Sequence, residues 1–458
     1  MFLEKGGKMK KIVIGFLVVV FTVSMVFIGV GCKGEAAPAE EEVAEEEVAE
    51  EEAPAEEEVA EEVAPAGKLV FYHYWSAGSW LEGIDTLLDI FESEYPGVKL
   101  YRNALEHEAF KTSIGVSLAG GNPPDAFSYW CGAKTQFFAD RDLLMDLTSV
   151  WDSEGFDQLF PQETKEAAST YNGKVYSVPV SQFPVMMWYN KHVFDKYNIE
   201  PPATWDEFLN VCETLKSNGV VPITLGSKFN WPSQYWFDYL LTRTAGGEFR
   251  AGLMQGNESY TDPKVLNALE LWKELLDKGY FVEDPASYDW SDALGQMVRE
   301  EAAMNLMGGW ASGSLILDMD QKPVEDYDFF EFPVIDPNIE KVVVGTYDGI
   351  VVSKDATNVE NVKLLLKVLA STEAQGQFSQ IVGCLAPNTQ VSKDIYNEID
   401  QKEIVAIEGV PWHHGYDLAT DPAVSDVGLI AFANFLANPA DYENIFAEVE
   451  KAANEVYK

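Results

Sequence analysis

The chain has 458 residues, 47% hydrophobic and 13% aromatic, which is enough for a large core and, by length, for about two or three domains. Its 32 Lys and Arg stand against 75 Asp and Glu, a net charge of −43. That nearly excludes a basic face for nucleic acid and argues against docking on anionic lipid. Four cysteines exclude a disulfide-stapled scaffold and a multi-cysteine zinc protein.

The charge is uneven: +3 on residues 1–31, −14 on 32–66 and −32 on 67–458. The surplus on the last part reads as a solvated acidic surface or as attraction for a cationic ligand. Lys5, Lys8, Lys10 and Lys11 precede an apolar run from Ile12 to Gly31, the order of a secretory signal peptide. Met9 is an alternative start to Met1. The run closes on Gly29-Val30-Gly31-Cys32, which resembles a bacterial lipobox with Gly29 where the usual Leu stands. The resemblance implies a signal over 1–31 and a lipidated Cys32, a lipoprotein anchor. A run of about 20 residues is also long enough to span a bilayer uncleaved. Residues 32–66 are largely Glu, Ala, Val and Pro. With no large apolar groups to offset chain entropy, they read as an extended acidic tether. Either form of anchor puts residues 67–458 outside the cytoplasm, in the periplasm or at the cell surface.

Lys68 to Trp75 reads as a buried strand, and residues 80–94 as a helix with Leu81, Ile84, Leu87, Leu88 and Phe91 on one stripe, stopped by Tyr95-Pro96-Gly97. Val98 to Tyr101 is a second strand, 107–120 a second helix and Asp125 to Trp130 a third strand. This alternation predicts a parallel sheet of α/β type, with its ligand crevice at the carboxyl ends of the strands. Further strands are predicted over 173–180, 186–189 and 303–307, and over 342–353 as a pair or as one long strand. Helices are predicted over 205–218, 265–278, 361–371 and 428–436.

Four segments then resemble one family. They are Leu118-Ala119-Gly120-Gly121-Asn122-Pro123-Pro124-Asp125-Ala126-Phe127; Tyr171 to Pro179 followed by Met187-Trp188-Tyr189-Asn190-Lys191; Pro201 to Phe208; and Ala302 to Trp310 with Gly345 to Lys354 after it. Their order resembles the family 1 extracellular solute-binding proteins, the sugar-capturing components of bacterial ABC importers. The resemblance implies a two-lobe, periplasmic-binding-protein-like type II fold with a hinge and an interlobe cleft. One lobe would hold 67–181 and 341–386, the other 182–340 and 387–458, with crossings near Gln182, Ile339 and Pro387. It also implies a non-enzymatic, monomeric protein that hands a mono- or disaccharide, glucose-like in shape, to a membrane permease.

A sugar site needs aromatic faces for C–H patches and planar polar groups for hydroxyls. Trp75 and Trp130 fall at strand ends, Asp125 precedes a strand, and Gln182 falls at the expected hinge. Trp231 and Trp236 lie in an aromatic run that holds Asn and Gln, a stacking platform. The resemblance adds Trp310 after two glycines, Asp348 in Tyr347-Asp348-Gly349, and His414 behind Trp412 and His413. Trp412 joins the candidates with that pair. Metal sites usually need three or four ligands with partners, and no His-x-x-x-His spacing is present; the reading includes no metal, cofactor or catalytic residue. Cys212 reads as a buried thiol, while Cys131 and Cys384 are left open as a pair or as two thiols. Two other functions fit parts of the sequence. The acidity with many aromatics suits a polyamine or other cationic solute. The abundance of carboxylates suits a glycoside hydrolase, although no Gly-x-Ser-x-Gly, His-Glu-x-x-His or phosphate loop is present.

Overall fold

The computed structural model describes residues 65–458. The leader, the lipidation at Cys32 and nearly all of the acidic tether fall outside the described residues. Among the described residues no helix is long and apolar enough to cross a membrane.

The backbone of the fold is a mixed sheet. Its strands run in the order Val98–Ala104, Gly67–His73, Ala126–Trp130, Val343–Val352, Ser177–Asn190, Ala302–Gly308 and Val221–Thr224. The first three are parallel to one another, as the strand–helix alternation predicts. Val343–Val352 then runs antiparallel to Ala126–Trp130 on one side and to Ser177–Asn190 on the other. Ala126–Trp130 and Val343–Val352 are buried along their whole lengths. That is why neither shows an alternation of buried apolar and exposed polar residues.

The predicted strands 173–180 and 186–189 are one strand, Ser177–Asn190. Its first half pairs with residues 345–351 and its second half with 304–308 and 327–330. Pro179 and Pro184 lie inside it, although proline cannot donate to a ladder. Pro179 pairs with Gly349 at a register shift, and Pro184 stands where the strand changes partners. At both places a missing N–H costs little.

Two hydrophobic cores flank this shared strand. The first draws on residues 69–183 and 350–384, with Leu418 added. The second draws on 185–344 and 399–453. Helix Gly78–Glu94 buries Ile84, Leu87, Leu88 and Phe91 in the first core. Helix Trp205–Ser217 buries Trp205, Phe208, Cys212 and Leu215 in the second, and Thr204 with Glu207 closes a capping box at its start. A short strand, Trp412–His414, pairs parallel with Val343–Gly345 and returns the chain to the middle of the molecule. Cys131, Cys212 and Cys384 are all free and buried, so the pairing left open by the sequence is not made.

Candidate ligand-binding site

A cavity of about 350 Å³ is lined by residues of both cores. On the first side, Tyr74, Trp75 and Trp80 line it from just beyond strand Gly67–His73. Trp130, the last residue of its strand, joins them. Tyr74 stacks on Trp130 at 4.3 Å and 15°, and Trp75 on Trp80 at 6.3 Å and 17°. Across the cavity stand Trp231, Tyr235, Trp290 and Trp310. Trp310 meets Trp231 at 5.9 Å, Tyr235 at 6.3 Å and Phe183 at 5.5 Å. Its ring folds back over Gly308, where any Cβ would collide with it.

The charged groups gather around Trp130. Lys111 and Lys134 approach its ring at 5.7 and 5.3 Å. Lys111 pairs with Glu108 at 2.9 Å, and Lys134 pairs with Asp417. Burial pushes the Glu108 carboxyl up, but His107 and Lys111 outweigh it and hold the group at about 2. Asp417 is also pushed up by burial, and Lys134 with Lys111 brings it below its ordinary value. Burial and the charge of Lys134 together lower Lys111.

Asp417 is carried in by a braced loop. The Arg250 guanidinium donates to Asp238 at 2.9 and 2.6 Å and to the His414 carbonyl at 2.6 Å. Asp238 in turn accepts from the Tyr416 N–H at 2.9 Å, and Gln234 accepts from the Asp417 N–H at 2.8 Å. Gly132, with φ of +106°, lets this loop approach; a side chain there would run into the Leu418 carbonyl.

Asp348 is 5% exposed and lies within the central strand, between Trp130 and Ser181 in register. The ladder shifts between Asp348 and Gly349, an irregularity that re-aims a side chain. Burial pushes its carboxyl up to about 7, against the opposing pull of the Tyr74 hydroxyl, Lys134 and Ser181. Two more carboxylates on the lining serve helix starts. Glu106 accepts from the N–H groups of Glu108 and Ala109 at 3.0 and 3.1 Å, and Asp289 from those of Ser291 and Asp292 at 2.9 Å each.

Of the residues singled out in the sequence, Trp75, Trp130, Trp231, Trp310 and Asp348 line this cavity. The others lie elsewhere. Asp125 accepts from the Val70 N–H at 2.8 Å and from the Thr357 N–H and hydroxyl at 2.7 and 2.9 Å, so its carboxylate ties the first core together. Gln182 exchanges backbone hydrogen bonds with Leu385 at 2.9 and 3.2 Å. Trp236 is buried against Phe281 and Phe332 at 4.9 and 5.8 Å, because helix Gln234–Ala245 turns it away from the face that carries Tyr235. Trp412 packs on Tyr347 at 4.9 Å, and His414 Nε2 lies 2.8 Å from the Ala167 carbonyl. Burial keeps His414 below its ordinary pKa. Among the described residues no group of three or more His, Cys, Asp and Glu side chains is placed to hold a metal.

Glu108, Lys111, Lys134, Gln234 and Asp417 also line the cavity and were not singled out. A signal for the first two was present. Helix His107–Ala119 starts beyond the carboxyl end of strand Val98–Ala104, the same rule that selected Trp75 and Trp130. Nothing local marks Asp417, whose partner lies 283 residues away.

The sequence profile for bacterial extracellular solute-binding proteins matches residues 75–376. An uncharacterized ABC transporter extracellular-binding protein of Pyrococcus horikoshii is 28% identical over 395 residues, 85% of this chain and 86% of its own length. A probable sugar-binding periplasmic protein of Mesorhizobium japonicum is 25% identical over 352 residues, 75% of this chain and 82% of its own. The bacterial solute receptor AcbH, crystallised and reported with an exclusive preference for β-D-galactopyranose, is similar in fold at a TM-score of 0.81. It is 24% identical, and the match covers 86% of this chain and 100% of AcbH.

Proposed function

The chain belongs to the bacterial extracellular solute-binding proteins, and from that premise we propose that it captures a mono- or disaccharide and delivers it to the membrane permease of an ABC importer. One observation carries this reading. Two aromatic walls face each other across a cavity that also holds Asp348, Asp417, Gln234 and Lys134. A pyranose offers the matching chemistry, with C–H patches for the rings and hydroxyls for the planar polar groups.

The two cores support a division into lobes, 67–181 with 341–386 and 182–340 with 387–458. Crossings near Gln182, Ile339 and Pro387 would let the lobes close over a ligand, and the closed form would dock on the permease. The protein acts as a monomer, turns nothing over, and is held to the membrane through a lipidated Cys32. Cys32→Ser would then leave the protein in the aqueous phase on detergent partitioning, whereas the wild type enters the detergent.

Thermal melting with a panel of neutral and amino saccharides tests the binding reading. A ligand that binds only the folded state adds about 2.7 kcal/mol of stability at 100 times its Kd, and the melting temperature rises accordingly. A panel in which no saccharide raises it would sink the proposal.

A further inference from the structure

We infer that the saccharide carries a free, protonated amine and that Asp348, with the hydroxyls of Tyr74 and Ser181, is the seat for that amine. This rests on the saccharide reading above and narrows it to amino sugars.

The argument begins with which charges in the cavity are already matched. Lys111 is paired with Glu108, and Lys134 with Asp417. Glu106 and Asp289 are engaged by backbone N–H groups at helix starts. Asp348 is the remainder. It is 5% exposed, and neither Lys111 nor Lys134 is ion-paired with its carboxylate. The buried Tyr74 and Ser181 hydroxyls lean on it as donors, which favours its charged form without matching the charge, and they have no other partner. Lys134 is near enough to pull on the Asp348 carboxyl, but its ammonium is committed to Asp417.

A buried carboxylate without a counter-ion is costly until its charge is matched. A sugar hydroxyl would supply one donor and no charge. An ammonium supplies a charge and three donors, and the seat offers three acceptors: the carboxylate and two hydroxyl oxygens. The stacked Tyr74 and Trp130 rings beside it also favour a cation over a neutral group. The raised pKa of Asp348, about 7, is what such a cation would reverse. Trp310 and Trp231, on the opposite wall, are left to receive the C–H face of the sugar ring, which a linear polyamine lacks.

Calorimetric titration of the full-length protein tests this with D-glucosamine and D-galactosamine, their N-acetyl forms, the parent hexoses and spermidine. An amine form should bind at least about 10-fold tighter than both its N-acetyl form and its parent. Asp348→Asn should bring the amine and N-acetyl forms within about 2-fold of each other, with the fold checked by circular dichroism. Ser181→Ala, a smaller change, should reduce the amine preference about 3-fold and gives the answer if Asp348→Asn does not fold. Parent or N-acetyl sugars binding as tightly as the amine would overturn the amine seat and leave the saccharide reading standing. Binding of spermidine alone, or of nothing in the panel, would overturn both.

Discussion

The two walls of the cavity differ in what they contribute. The first-core side holds stacked rings and a concentration of charge, with Lys111, Glu108, Lys134 and Asp348 around Trp130. The second-core side is mainly aromatic, with Phe229, Trp231, Tyr235, Trp290 and Trp310; of its carboxylates, Asp289 is used for capping and Asp417 reaches across to Lys134. Aromatic faces accept the C–H patches of many sugars with little discrimination, whereas buried charged groups must each find a match. Changes on the aromatic side should therefore lower affinity for all ligands alike. Changes on the charged side should alter which ligand is preferred.

The largest expected effect separates wall from core within one short segment. Trp236 is wholly buried, while Trp231 lines the cavity five residues earlier. Trp236→Ala should cost about 3–5 kcal/mol of stability by leaving a cavity in the second core. Trp231→Ala should cost far less stability and should weaken ligand binding. Denaturant melts with paired titrations would check this, and equal stability losses in the two variants would erase the distinction between wall and core.

Next comes Trp310, the aromatic that touches Trp231, Tyr235 and Phe183 together. Trp310→Ala should weaken binding of every saccharide that the protein takes by about 100-fold, close to 2.7 kcal/mol. The loss should be uniform across the panel. A change in the rank order of ligands would mean that the aromatic side also selects.

How much of this was legible in the sequence depends on how each position is set. Trp75 and Trp130 follow from the strand-end rule, which needs only a local pattern and a parallel sheet. The fold was legible for a similar reason, because the core strands are mostly apolar and the helices show clear stripes. Trp236 misled because an aromatic run does not reveal which of its rings a helix turns inward; that is set by the Phe281 and Phe332 rings, which lie distant in sequence. Asp125 misled because it precedes a strand in a family-like motif, yet its carboxylate is consumed by Val70 and Thr357. Asp417 was missed because its position depends on Asp238, Arg250 and Gln234, none of which is near it in sequence.

The Lys134–Asp417 pair tests the charged side. Its side chains are 18% and 10% exposed, so removing one partner leaves the other poorly solvated. Lys134→Met should cost about 2 kcal/mol of stability. Lys134→Met combined with Asp417→Asn should recover most of that, because the uncompensated carboxylate is then gone. The interaction between the two substitutions is read from a double-mutant cycle of unfolding free energies. Simple additivity would show that the pair is not a unit, and the charge matching that isolates Asp348 would lose a step.

The smallest effect comes from behind the aromatic wall. Asp400 and Glu403 lie one turn apart on helix Glu398–Ile407, are 4% and 2% exposed, and each has an oxygen without a partner. Glu403 lies close against Gly309, the residue before Trp310. The nearby Lys402 turns to Asp328, and Tyr327 faces the pair as a neutral hydroxyl bonded to Ser312. Burial pushes Asp400 up to about 6 and Glu403 well above its ordinary value, with Asp400 adding to the second shift. The folded state therefore holds protons that the unfolded chain has already released above the ordinary carboxylate range. With more protons bound in the folded state, stability falls as pH rises from that range through the raised values. Glu403→Gln removes one of these titrations. Its melting temperature should gain on the wild type as pH increases, by about 2 °C at pH 8, with little difference at pH 4. Melting curves whose pH dependence is parallel in the two proteins would show that Glu403 is ionised in place, and that a cation or water network behind Trp310 matches its charge.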